Sequence, residues 1–190
     1  TDGVLDAATG MRRQISLLIN DMHALDAVLE SVEMDPGFAG FVEWCRAAGV
    51  EIVVVSDGVD YFIRKVLERH GFGHLTIHSN QLVAGQDGLS LEQPLSRPEC
   101  GSGHGVCKCA VVGESLEPVI YVGDGKSDEC VSGQADYLFA KSKLALFCEG
   151  RGIPFGRYDS FADVERSLSA RLKANSRTQE ITIIDNLSAS

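Results

Sequence analysis

The apolar run Val119-Ile120-Tyr121-Val122 passes into Gly123-Asp124-Gly125-Lys126-Ser127-Asp128, which sets two carboxylates four residues apart among glycines. Glycine lets the backbone turn sharply and come close to a ligand. Two aspartates at the end of such a strand suit a hard, oxygen-ligated cation such as Mg2+, which keeps waters and phosphate oxygens in its shell. The competing reading is a polar turn whose Asp or Ser caps a helix. Ser56 ends a second apolar run, Ile52 to Val55, and is followed by Asp57 and Gly58. A hydroxyl there, beside backbone N–H groups at a helix start, makes a phosphate cradle. The plainer alternative is a Ser-Asp-Gly turn that only caps the helix. Lys108 falls at a predicted helix start, where the macrodipole disfavours a cation, so it needs an anion nearby or open solvent.

Cys100, His104, Cys107 and Cys109 crowd a glycine-rich loop around Lys108. Thiolates and imidazole are the usual ligands of Zn2+, so a structural metal is one reading. The spacing is not a paired Cys-x-x-Cys arrangement, and Cys107 and Cys109 flank Lys108 tightly. The favoured reading is therefore unligated thiols lining the site. His23, His70, His74 and His78 form no constellation and read as surface or helix-end residues.

The elements that must position these residues follow from periodicity. Helices are expected at Ala7 to Asn20 and His23 to Glu33. A third follows, with Asp35 as N-cap, Pro36 at its first position, apolar residues at helical spacing from Phe38 to Ala48, and Gly49 as its stop. From Glu51 the pattern alternates. Strand Ile52 to Val55, helix Val59 to Arg69 and strand Leu75 to His78 precede a hairpin within Asn80 to Gln93. A helix near Lys108, strand Val119 to Val122, another helix, strand Tyr137 to Phe139 and a helix from Lys141 complete the series. Strands alternating with helices imply a parallel sheet whose ligands sit beyond the carboxyl ends of the strands. The expected class is α/β, a Rossmann-like parallel sheet with helices on both faces and a small helical cap. The expected divisions are a cap over 1–34, a core over 35–174 and a tail over 175–190 with a candidate strand.

Bulk properties narrow the function. The 190 residues carry a net charge of −10, with 44% hydrophobic and 23% charged content. That suits one globular domain and argues against nucleic acid, whose backbone demands a basic face. No apolar run is long enough to span a membrane. With no secretory signal at the start of the chain, the six cysteines read as reduced thiols in a cytoplasmic protein.

Ser56, Lys108 and the Gly123–Asp128 segment, in this order and spacing, resemble motifs two, three and four of the haloacid-dehalogenase phosphatases. The likeness extends to the phosphoserine-phosphatase-like branch, and within it to the methionine-salvage 2-hydroxy-3-keto-5-methylthiopentenyl-1-phosphate phosphatases. Cys107-Lys108, Leu138-Phe139-Ala140-Lys141, Cys148, Gly152-Ile153-Pro154-Phe155, the stretch Tyr158 to Val164 and Met11-Arg12-Arg13-Gln14 carry it. The resemblance implies Mg2+-dependent hydrolysis of a small phosphorylated metabolite through an aspartyl-phosphate, with phosphoserine phosphatase or an inactive phosphate-binding chain lacking the nucleophile as the alternatives. Ser56 and Gly58 would bind the phosphoryl group, and Lys108 would neutralise it together with the nucleophile. Asp124 would ligate Mg2+, and Asp128 would order the metal's shell or orient Lys108. Arg12 or Arg13 would reach the substrate from the cap.

The family's first motif, an apolar strand ending Asp-x-Asp-x-Thr, does not precede the cap here. Asp2 and Asp6 follow no apolar strand, so neither belongs to that motif. That strand is central in the family, and a sheet without it would expose two unpaired edges. Three explanations stay open: a trimmed chain, a strand supplied by a partner copy in a homodimer, or the C-terminal Ile181-Thr182-Ile183-Ile184-Asp185-Asn186-Leu187-Ser188. The last is an apolar run ending in Asp, although Leu187 stands where the acid/base Asp should be. Its plainer reading is a frayed or edge-paired tail.

Overall fold

The fold was read from a computed structural model, which describes residues 6–18, 22–86, 88–174 and 182–185, the side chains of 172–174 and 182–185 excepted. Asp2 and the polar stretch from residue 175 to 180 lie outside the described residues. The N-terminal helices are α1 (Ala7–Ser16), α2 (Met22–Leu29) and α3 (Phe38–Ala48). Asp6 is the N-cap of α1, its carboxylate accepting from Thr9 N at 2.7 Å. The α3 start differs from expectation. Asp35 Oδ1 accepts from Gly37 N at 2.8 Å and Phe161 N at 3.4 Å, and the helix begins only at Phe38. Asp35 thus ties two elements together instead of capping one. Gly49 ends α3 with φ +70°, a conformation that favours glycine.

The alternating series follows as β1 (Glu51–Val59), α4 (Asp60–Arg69), β2 (Thr76–Gly85), β3 (Gly88–Glu92), α5 (Lys108–Gly113), β4 (Val119–Gly123) and β5 (Tyr137–Ala140). Then come α6 (Ser142–Arg151), β6 (Gly156–Arg157), α7 (Phe161–Ala174) and β7 (Thr182–Asp185). β1 is longer than its apolar run predicts, continuing through Ser56 with an irregularity between Val55 and Val59.

The sheet order is β3-β2-β1-β7-β4-β5-β6, with only the β2–β3 pair antiparallel. The last strand occupies the centre. β7 runs parallel to both β1 and β4, with Asp185 level with Val54 on one side and Val122 on the other. Its backbone therefore closes both edges that the sequence left open.

Alternate residues of the two strands beside β7 feed two cores. Ile52, Val54, Ile120 and Val122 pack against Phe38, Phe41 and Cys45 of α3 and Phe161, Val164 and Leu168 of α7. Val53, Val55, Val119 and Tyr121 pack against Val112 of α5 and Leu144, Ala145 and Cys148 of α6. Burial on both faces explains the unbroken β-branched runs. A third cluster joins Ile15 and Met11 of α1 to Leu89 and Leu91 of β3, with Leu25 of α2 and Phe62 of α4 against it. The N-terminal helices thus sit over the β2–β3 hairpin, at the end of the sheet where β1 reaches Ser56 and Val59.

Candidate active site

Lys108 and Asp128 are both fully buried, with Lys108 Nζ 2.5 Å from Asp128 Oδ1. Lys108 also donates to Ser127 Oγ at 3.0 Å. The anion that a lysine at a helix start requires is thus supplied within the chain. Asp128 is saturated. Its Oδ1 accepts from Tyr121 OH at 2.7 Å, and its Oδ2 from Asp124 N at 3.0 Å and Gly125 N at 2.8 Å. Four donors on one carboxylate offset the cost of burying its charge. This ties Asp128 to lysine orientation and turn geometry.

Gly123 makes the turn feasible. A Cβ there would lie 2.9 Å from both the Asp128 carboxyl and the Tyr121 ring. Asp124 follows at the end of β4, half-buried, with its carbonyl accepting from Leu144 N at 3.0 Å. Ser56, buried at the end of the corresponding stretch of β1, accepts from Gly58 N at 3.0 Å. Ser56 and Asp124 each stand two residues beyond the partner of Asp185 in the sheet. The three positions therefore share one carboxyl end, the place where parallel sheets bind ligands.

A polar wall that the sequence did not announce adjoins Ser56. Asp57 Oδ2 pairs with His104 Nδ1 at 2.8 Å, and Asp57 Oδ1 accepts from Val106 N at 3.0 Å. Asn80, fully buried, donates through Nδ2 to the carbonyls of Asp57 at 2.6 Å and Gly58 at 3.2 Å. Its Oδ1 has no hydrogen-bond partner among the described residues. Arg12 donates to Thr9 Oγ1 at 2.9 Å and to Gln93 Oε1, joining α1 to the segment after β3. Asn80 lay inside a predicted hairpin with no spacing signal, and Asp57 read only as part of a turn.

The cysteine loop resolves into two sets. His104 faces Asp57, whereas the sulfurs of Cys100, Cys107 and Cys109 lie within 4.8 Å of one another. Cys109 Sγ is 3.4 Å from Cys100 Sγ and 3.3 Å from Cys107 Sγ. Burial pushes the Cys100 thiol up, but hydrogen bonding with Ser102, Cys109 and Cys107 outweighs it and holds the thiol at about 7. Burial and hydrogen bonding to Cys107 and Cys100 drive Cys109 the other way. All six cysteines are free.

A strand-end Ser, a buried Lys–Asp pair and a Gly-Asp turn on one parallel sheet define a class. The profile of the haloacid dehalogenase-like hydrolases matches residues 8–131, and the chain belongs to that family. It stands among the family's phosphatases. It is 30% identical over 149 residues to a 2-hydroxy-3-keto-5-methylthiopentenyl-1-phosphate phosphatase of Brevibacillus brevis, covering 76% of this chain and 67% of that protein. It is 28% identical over 181 residues to Pdp3-interacting factor 1 of Schizosaccharomyces pombe, covering 87% and 78%. Polyol phosphate phosphatase PYP1 of Saccharomyces cerevisiae is 25% identical over 201 residues, covering 95% and 83%. Among solved structures, a phospho-aspartyl intermediate analogue of phosphoserine phosphatase shares the fold with a TM-score of 0.59. It is 18% identical and covers 87% of this chain and 78% of its own.

Proposed function

We propose that this chain is a Mg2+-dependent phosphomonoesterase that hydrolyses a small phosphorylated metabolite of methionine salvage through an aspartyl-phosphate. The observation that carries this reading is the convergence of Ser56, the Lys108–Asp128 pair and Asp124 at the carboxyl ends of β1 and β4, on either side of β7. The similarity to the Brevibacillus brevis enzyme favours the substrate class.

Ser56 Oγ and the Gly58 turn hold phosphoryl oxygens, and Lys108 offers a positive charge already fixed by Asp128. Preorganised charge of this kind supplies most of the acceleration in phosphoryl transfer. Asp124 is the hard oxygen donor that fits Mg2+, which supplies charge neutralisation at the phosphoryl group when bound. Asp128 has no such role in this reading, because four donors already occupy its carboxylate. The attacking carboxylate is assigned to Asp185, on the register of β7 alone. Its attack on phosphorus forms an acyl phosphate and expels the alkoxide, and water then regenerates the carboxylate and releases inorganic phosphate. Leu187 occupies the position where the family's acid would stand. The departing oxygen therefore takes its proton from solvent, and esters with acidic leaving groups turn over faster than alkyl esters.

The test is phosphate release from a panel of aryl, polyol and amino-acid phosphomonoesters, with and without Mg2+. Wild type is compared with Lys108→Ala and Asp185→Asn, each checked for folding by circular dichroism. Mg2+-dependent release lost in both variants supports the whole reading. Release that survives Asp185→Asn removes Asp185 as nucleophile and leaves the enzyme standing. Wild type that binds phosphate without releasing any from the esters is a phosphate-binding protein, and the enzymatic reading falls.

A further inference from the structure

We propose that Cys100, Cys107 and Cys109 form a thiolate site for one thiophilic cation of the Zn2+ class, fastening the loop beside Lys108. The three sulfurs come from two elements. Cys100 closes a short 3-10 turn, Pro98–Cys100, while Cys107 and Cys109 bracket the start of α5. Gly101 and Gly103, at φ +68° and +69°, turn the intervening chain back so that the sulfurs meet. A tetrahedral cation about 2.3 Å from each sulfur would space them by roughly 3.8 Å. The observed pairs, at 3.3 and 3.4 Å with the whole group inside 4.8 Å, need little movement to accept it.

The donor chemistry separates this site from the one at Asp124. Three soft sulfurs select zinc-like ions, whereas carboxylate oxygens select Mg2+. His104 is committed to Asp57. Cys130, whose side chain also interacts with Cys109, lies outside the group of three sulfurs. The location gives the site a consequence. Cys107 and Cys109 flank Lys108, and the loop they close carries His104 and Val106, which hold Asp57 at 2.8 and 3.0 Å. A bound cation would fix the base of the lysine and the wall beside Ser56 together.

The experiment loads wild-type protein with Zn2+, removes unbound metal by gel filtration and measures retained zinc. A parallel Co2+ titration reads sulfur-to-cobalt charge-transfer absorption, with excess Mg2+ present throughout. One retained equivalent and a charge-transfer band are expected. Cys109→Ser should abolish both, Cys100→Ser should lower the retained zinc below one equivalent, and Cys148→Ala should change neither. No retained zinc and no band in wild type would overturn the proposal, as would zinc retained undiminished by Cys109→Ser. Neither readout requires turnover, so this result is independent of the phosphatase assay.

Discussion

Lys108 Nζ meets Asp128 Oδ1 at 2.5 Å with neither side chain open to solvent, so each charge is tolerable only because the other is present. The two partners are not equivalent. Asp128 also serves Tyr121 OH and the amides of Asp124 and Gly125, whereas Lys108 Nζ has Ser127 Oγ as its other acceptor. Asp128→Ala strands a buried ammonium and three further donors, and should cost about 3–5 kcal/mol. Lys108→Met leaves Asp128 three of its four donors and should cost less, by about 1 kcal/mol or more. Urea midpoints of the two variants check the order; equal costs would mean the backbone amides contribute nothing.

Gly123→Ala and Gly10→Ala should move stability in opposite directions. At Gly123 the added Cβ meets the Asp128 carboxyl and the Tyr121 ring at 2.9 Å, and overpacking of this kind costs about 1–3 kcal/mol. Gly10 lies inside α1 with nothing within 4 Å of its would-be Cβ, so alanine there should gain about 0.5–1 kcal/mol. Thermal melts of both variants provide the comparison.

A chain ending at Ala174 tests the central strand. β7 is hydrogen-bonded to β1 and β4, so its removal uncovers two parallel edges in the middle of the sheet. The truncated protein should unfold at lower urea and self-associate on gel filtration. An unchanged midpoint with a monomeric profile would remove β7 from the folded core.

Asp26 should make the docking of α2 acid-sensitive. Its Oδ1 accepts from Tyr61 OH at 2.5 Å and its Oδ2 from Lys65 Nζ at 3.1 Å. The Tyr61 hydroxyl first, then Lys65, holds the carboxyl below its ordinary 3.8. A lowered folded-state value contributes stability above 3.8 that disappears as pH falls through that lowered value. The difference in urea midpoint between wild type and Asp26→Asn should therefore shrink on acidification. A constant gap would show that the carboxylate is not the source.

The sequence by itself determined the α/β alternation and the positions of Ser56, Lys108, Asp124 and Asp128. Each is legible because it terminates or follows a local pattern: a β-branched run buried on both faces, or a glycine pair that frees the backbone to turn. Even these signals were silent about boundaries. Asp35 reads as a helix cap but bridges to Phe161, because a carboxylate can satisfy an amide far along the chain as readily as one nearby. Tertiary structure alone decided that Asp57 and His104 pair, that Asn80 braces the Ser56 turn and that three cysteines converge without His104. It also decided the fate of the C-terminal run, which locally suits a frayed tail as well as a strand. A strand's position is set by which edges remain unpaired once the rest of the sheet has formed, and between β1 and β4 two such edges face the same gap.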